Sequence, residues 1–188
     1  MIVMNSTKET TRRSFLSLTA YAMGAFGIGA AAWALIDSMN PAADAWARVT
    51  DVNLKSIQPG QRTMVVWEGK PIFIFHRTKD DIREVRAEDW WHLRDRQRDE
   101  DRVQEGHDEW LVVIGVCTHL GCIVKGNRSM EPRGGWGGWL CPCCGSSYDK
   151  SGRVRVGPAP KNLHVPIYSF LTDDLIRLGG RPAHWIRP

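Results

Sequence analysis

The sequence predicts an all-β head, a sandwich or small barrel, carried on one N-terminal transmembrane helix. Three observations predict it. The run from Phe15 to Ile36 is 22 residues without a charge, the rest of the chain breaks into short apolar runs between turn residues, and all five cysteines fall between residues 117 and 144. At 188 residues, 43% hydrophobic and 24% charged, the chain has room for one globular domain and an appendage, which excludes a multidomain enzyme. Of the formal charge of +4, Lys8, Arg12 and Arg13 against Glu9 supply +2. The remainder carries no basic stripe, which excludes nucleic acid as a partner.

As a helix, residues 15–36 span about 33 Å at about 1.5 Å per residue, the thickness of a bilayer core. Ser17, Thr19 and Tyr21 make no polar stripe, so a buried soluble helix is the weaker reading. Before it, Thr11-Arg12-Arg13-Ser14-Phe15-Leu16 resembles the bacterial twin-arginine export signal, which carries folded proteins across the membrane. Residues 1–14 are thus expected in the cytoplasm and residues 49–188 in the periplasm, with one pass through the inner membrane, because the positive charges flank the N-terminal side. Small-x-small triplets at Ala43-Asp44-Ala45 and Ala45-Trp46-Ala47 offer a competing cleavage site, but the length of the apolar run favours a retained anchor. Outside the cytoplasm a disulfide persists.

Residues 37–48, DSMNPAADAWAR, read as a linker. Thr63–Trp67 and Pro71–Arg77 about a Glu68-Gly69-Lys70 turn read as a hairpin, and Trp110–Val116 as a buried strand running into the first cysteine. Tyr148 and Val154–Val156 flank a turn over Asp149–Gly152, and Val165–Phe170 with Leu175–Leu178 form a further pair. Residues 77–109 hold 12 acidic and 8 basic residues with few large apolar ones, and read as a solvated helix and loop between strands. No internal repeat is visible.

Two boxes carry the chemistry: Cys117-Thr118-His119-Leu120-Gly121-Cys122, and Cys141-Pro142-Cys143-Cys144-Gly145-Ser146-Ser147-Tyr148. Ligands two apart on a loop can turn to one metal, and a second such loop can close on it from the other side. Thiolate and imidazole select zinc or iron-sulfur chemistry over hard cations. A Cys3His set suits zinc as well, and spacing alone leaves both open.

The boxes, with Gly157-Pro158-Ala159-Pro160 and Asn162-Leu163-His164, resemble the Rieske iron-sulfur subunit of cytochrome bc complexes, whose pattern is C-T-H-L-G-C followed by C-P-C-H-G-S-x-Y. The resemblance covers essentially the whole chain. It implies a Rieske-type sandwich whose cluster-binding part lies at about 115–160, with one [2Fe-2S] cluster per chain. By position, Cys117 and Cys141 would hold one iron, and His119 with position 144 the other. Cys122 and Cys143 would form a disulfide between the loops. Leu120 and Gly157, Pro158, Ala159 and Pro160 would shield the cluster, and Ser146 and Tyr148 would tune it by hydrogen bonds to sulfur, which favour the reduced state.

At its second histidine position, however, the sequence has Cys144. Exchanging imidazole for thiolate adds negative charge to the ligand shell, favours the oxidised state and removes an imidazole nitrogen that in the family meets quinol. A low-potential centre, an impaired one and a mispaired disulfide all stay open. The implied role is electron transfer from ubiquinol, held by cytochrome b, to a c-type cytochrome, within a dimeric quinol–cytochrome c oxidoreductase of the translocase type, impaired or retuned by Cys144. Two alternatives stand beside it: the small Rieske subunit of a periplasmic oxidase, and a zinc or disulfide-stabilised interaction module without redox activity. His76, His92, His107 and His184 read as surface or strand residues, His164 as a turn or cap near the proline loop, and Trp136 and Trp139 as cover for the approach to Cys141.

Overall fold

A computed structural model describes residues 12–39 and 49–180, which belong to two compact units. In the first, α1 (Arg12–Ser38) is a single helix with no buried residue and a mean hydropathy of 1.5 over its most apolar stretch. Its 27 residues make it long and apolar enough to cross a membrane. Ser17 and Thr19 return their hydroxyl hydrogens to the carbonyls of Arg13 and of Phe15 and Leu16, so these polar groups are satisfied within the helix. Arg12 and Arg13 form its first turn. The expected linker lies, for residues 40–48, outside the described residues, as do residues 1–11 and His184.

The second unit is built of three three-stranded antiparallel sheets. The central one joins β2 (Arg62–Trp67), β3 (Lys70–His76) and β4 (Trp110–Ile114). β2 and β3 meet at a two-residue turn in which Glu68 and Gly69 both take positive φ, 49° and 72°, the twist that tight hairpins require. β3 is the middle strand and reads Ile72-Phe73-Ile74-Phe75, buried throughout. Alternation sends Ile72 and Ile74 to one core and Phe73 and Phe75 to another. At about 1.5–3 kcal/mol for each large apolar side chain removed from water, this strand is the hinge pin of the head's stability.

The first core is closed by β1 (Thr50–Asn53), β9 (Leu175–Leu178) and β8 (Tyr168–Thr172), a sheet that pairs the head's first strand with its last. The second core is closed by β5 (Gly137–Leu140), β6 (Ser147–Asp149) and β7 (Val154–Val156); the second cysteine box joins β5 to β6, while the first follows β4 of the central sheet. Trp139 lies wholly inside, stacked on Phe73 and edge-on to Phe75. It is a core residue rather than a cover, whereas Trp136 stays half-buried under Arg155. The strand expected to run to Val116 stops at Ile114: Gly115 N–H still donates to Pro71 O, but Val116 pairs with Ile123 instead, and a side chain at Gly115 would come within 2.4 Å of the Phe73 ring. β8 likewise starts three residues later than expected, after Pro166.

Residues 77–109 correct the sequence reading. A helix is present, α2 (Lys79–Ala87), capped by a Thr78–Asp81 capping box. Yet the segment is not solvated throughout. Arg77 and Asp99 form an ion pair with both side chains fully buried, Asp99 also accepts from Ser151 Oγ at 2.6 Å and Arg86 Nε at 3.1 Å, and Arg102 is buried against the carbonyls of Ser151 and Leu163. Charge that looks like a wet surface in the sequence is paired across the inside of the head.

Candidate metal centre

The two cysteine boxes fold as the same loop made twice. In the first, Cys117 N–H donates to Cys122 O and Gly121 N–H to Cys117 O; in the second, Cys141 N–H donates to Ser146 O and Gly145 N–H to Cys141 O. In each loop a glycine four residues after the leading cysteine takes positive φ, 76° at Gly121 and 70° at Gly145, and turns the chain back. The shared spacing C-x-x-x-G was visible in the sequence, where no repeat was recognised. Backbone pairing between Val116 and Ile123 and between Lys125 and Leu140 sets the loops side by side.

A disulfide joins Cys122 and Cys143, tying one loop to the other across 21 residues of sequence. The remaining cysteines converge. The Sγ atoms of Cys117, Cys141 and Cys144 all lie within 4.8 Å of one another, and those of Cys117 and Cys144 are 3.7 Å apart. Cys117 and Cys141 are buried and Cys144 is half-buried. His119 is exposed, and its ring lies outside the set of donors within 4.8 Å of one another.

Two hydroxyls reach the sulfurs. Tyr148, wholly buried, donates to Cys117 Sγ at 3.3 Å, and Ser146 Oγ lies 3.1 Å from Cys144 Sγ while accepting from Ala159 N–H at 3.0 Å. Burial pushes the Cys141 thiol up to about 11. Burial opposes ionisation of Cys144 too, but hydrogen bonds from Ser146, Cys141 and His119 outweigh it and hold that thiol down to about 6. Burial and the bond to Cys117 raise the Tyr148 phenol, so it stays a donor.

The loop Gly157–Pro160 closes over Ser146. Gly157 has φ 104°, and a Cβ there would sit 2.4 Å from Ser146 Cα, so the close approach needs glycine. Ala159 is the fully buried member of the loop; Pro158 and Pro160 are exposed, and so is Leu120, 74% of whose surface is open. Among the described residues, the other histidines lie outside this set of donors. His76 stacks on Trp110, His107 on Phe170, His92 bridges to Asp89 on the surface, and exposed His164 contributes its carbonyl to Ile114 N–H.

Three thiols and a neighbouring imidazole, with two hydroxyls already bonded to sulfur, are a donor set that fits an iron-sulfur centre. The class defined by this fold and site is an iron-sulfur electron carrier. Residues 46–169 match the Rieske [2Fe-2S] domain, and residues 4–42 the "Ubiquitinol-cytochrome C reductase Fe-S subunit TAT signal". The chain belongs to the Rieske iron-sulfur family, with cysteine groups positioned to bind a cluster. It is 52% identical over 176 residues to the ubiquinol-cytochrome c reductase iron-sulfur subunit of Rickettsia prowazekii, covering 93% of this chain and 97% of that one. The subunit of the same name from Rhodospirillum rubrum is 50% identical over 91% of this chain and 93% of its own, and that from Blastochloris viridis 49% over 95% and 98%.

Proposed function

We propose that this chain is the iron-sulfur subunit of a ubiquinol–cytochrome c reductase, anchored in the bacterial inner membrane by α1 with its head in the periplasm. The observation that carries the reading is the convergence of three thiols at the junction of two disulfide-tied loops, in a chain that matches subunits of that name almost end to end. The [2Fe-2S] cluster, when bound, supplies one-electron relay between quinol at cytochrome b and a c-type cytochrome.

Cys117 and Cys141 would hold one iron, and His119 with Cys144 the other. Burial of Cys117, Cys141 and Ala159 keeps water from the inner side, while His119 and Cys144 face outward. The hydroxyls of Tyr148 and Ser146 offset negative charge on sulfur and so favour the reduced state. The disulfide holds the loops at one separation through that change of charge. Because Cys144 replaces a neutral ring with a thiolate, this centre is retuned to a lower potential than two imidazoles would give.

The Arg12-Arg13 signal and the length of α1 support export and anchoring. The donor set also suits zinc, so the deciding measurement is metal content. Protein purified anaerobically should contain two irons and two acid-labile sulfides per chain and co-purify with cytochrome b. Zinc without sulfide would replace this reading by the structural-metal one, and a loaded protein that co-purifies with a periplasmic oxidase instead would move it to that assembly.

A further inference from the structure

The loop over Ser146 is closed at its base by Val154 N–H on Asn162 Oδ1 at 2.8 Å, but its tip is held by other segments. Pro158 and Pro160 have no N–H, so Ala159 supplies the one backbone donor at its tip, and that donor goes to Ser146 Oγ at 3.0 Å. Its carbonyls are gripped from outside. Arg94, from the charged segment between β3 and β4, donates through Nη1 to the carbonyls of Gly157 and of Ala159, the latter at 2.7 Å. The adjacent Asp95 accepts from Asn162 N–H at 2.8 Å, and Arg102 donates to Leu163 O at 2.6 Å, so the far end of the loop is tied to the same segment. A guanidinium on two carbonyls makes charge-assisted bonds, stronger than those between neutral groups.

The chain of contacts runs on to the metal site. With one lone pair of Ser146 Oγ taken by Ala159 N–H, the hydroxyl hydrogen is free to turn to the Cys144 sulfur 3.1 Å away, and a metal-bound thiolate can only accept. We propose that Arg94 is a positioning residue for the metal centre: by holding the Gly157 and Ala159 carbonyls it keeps Ala159 N–H on Ser146 Oγ and thereby aims the serine hydroxyl at Cys144. The proposal rests on the iron-sulfur reading above. Its consequence is electrical. A hydrogen bond to a ligand sulfur favours the reduced centre, so slackening Arg94 makes the centre harder to reduce, and does so through Ser146.

A double-mutant cycle on the full-length membrane protein separates this from simple loosening. Wild type, Arg94→Ala, Arg94→Lys, Ser146→Ala and the doubles on Ser146→Ala are assayed for iron and acid-labile sulfide, and their midpoints are read by EPR-monitored titration. Arg94→Ala should move the reduction equilibrium about threefold toward the oxidised state, about 28 mV at 59 mV per tenfold for one electron. Arg94→Lys, which keeps the charge on a shorter, unbranched side chain, should move it part of the way. On the Ser146→Ala background neither change should move it further. An equal shift on both backgrounds overturns the proposal, because the charge then acts through space or the loop acts without the serine. An unshifted midpoint in a fully loaded Arg94→Ala protein overturns it too. Should Arg94→Ala fail to load, the Arg94→Lys pair decides by the same comparison. A wild type without iron or sulfide removes the iron-sulfur reading itself, and this role with it, whereas a loaded wild type with an unmoved variant removes this role alone.

Discussion

Cys144 sets the charge of the site. An imidazole ligand is neutral and a thiolate carries a full negative charge, so each exchange of one for the other shifts the balance between the oxidised and reduced centre. The gap between Rieske centres and all-thiolate plant-type ferredoxins puts the effect of one exchange at about 100–300 mV. Cys144→His should therefore raise the midpoint by an amount on that order and narrow the set of free thiols to Cys117 and Cys141. A redox titration with EPR detection checks it; an identical midpoint in the two proteins would show that the Cys144 sulfur is not on iron. The neighbours of Cys144 already favour the thiolate, since Ser146, Cys141 and His119 together bring it to about 6 against the pull of burial. At this scale the sequence was informative, because the boxes are local: Cys117, His119, Cys141, Cys144, Ser146 and Tyr148 occupy two short stretches. What it concealed was the distance between donors, and the exposure of Leu120, which depends on how the loops tilt rather than on what they contain.

At the scale of elements, the segment between β3 and β4 shows where a sequence reading stops. Its charges can be counted, but their partners stand far along the chain: Asp99 meets Ser151, Arg94 meets Gly157 and Ala159, and Arg102 meets Leu163. Nothing in a local pattern distinguishes an arginine facing water from one facing a carbonyl some 60 residues away. Asp99 is the member whose loss is most severe. Removing one partner of a buried pair leaves the other unpaired, so Asp99→Ala should cost about 3–5 kcal/mol in denaturant unfolding. Burial would raise the Asp99 carboxyl, but Arg77, Ser151 and Arg86 outweigh it and hold the carboxyl below its ordinary value. The folded state therefore binds that proton less readily than the unfolded state. Its stabilisation is complete above the ordinary aspartate range and is lost as pH falls through the lowered folded value. Asp99→Asn should flatten the acid limb of the stability curve relative to wild type; a parallel acid limb would assign that loss to other carboxylates.

At the scale of the whole molecule, the central sheet divides the head into a core that joins its two ends and a core that supports the metal site. β3 contributes alternate residues to each. That division was legible as an unbroken apolar run in β3 and β4 but not as two cores, because the closing sheets pair β1 with β9 and set β5–β7 apart, contacts of long sequence separation. The head is one compact unit and the anchor another; of the join expected over residues 37–48, Asp37 and Ser38 belong to α1 and residues 40–48 lie outside the described residues. On the proposed role, a head with one such centre among its described residues serves a quinol at one protein and a cytochrome at another, and so has to bring that centre to both. If residues 37–48 supply the swing, restricting their backbone slows the transfer while leaving the centre intact. Proline fixes φ near −65° and, next to Pro41, extends a stiff run. The double change Ala42→Pro with Ala43→Pro should accordingly lower the rate of cytochrome c reduction by about tenfold or more, with the EPR spectrum and midpoint unchanged; one decade corresponds to about 1.4 kcal/mol in the limiting step. Stopped-flow reduction of the intact complex by quinol reads the rate directly. A variant turning over as fast as wild type would place the swing elsewhere in the chain, and an altered spectrum would mean that the join bears on the centre itself rather than on its travel.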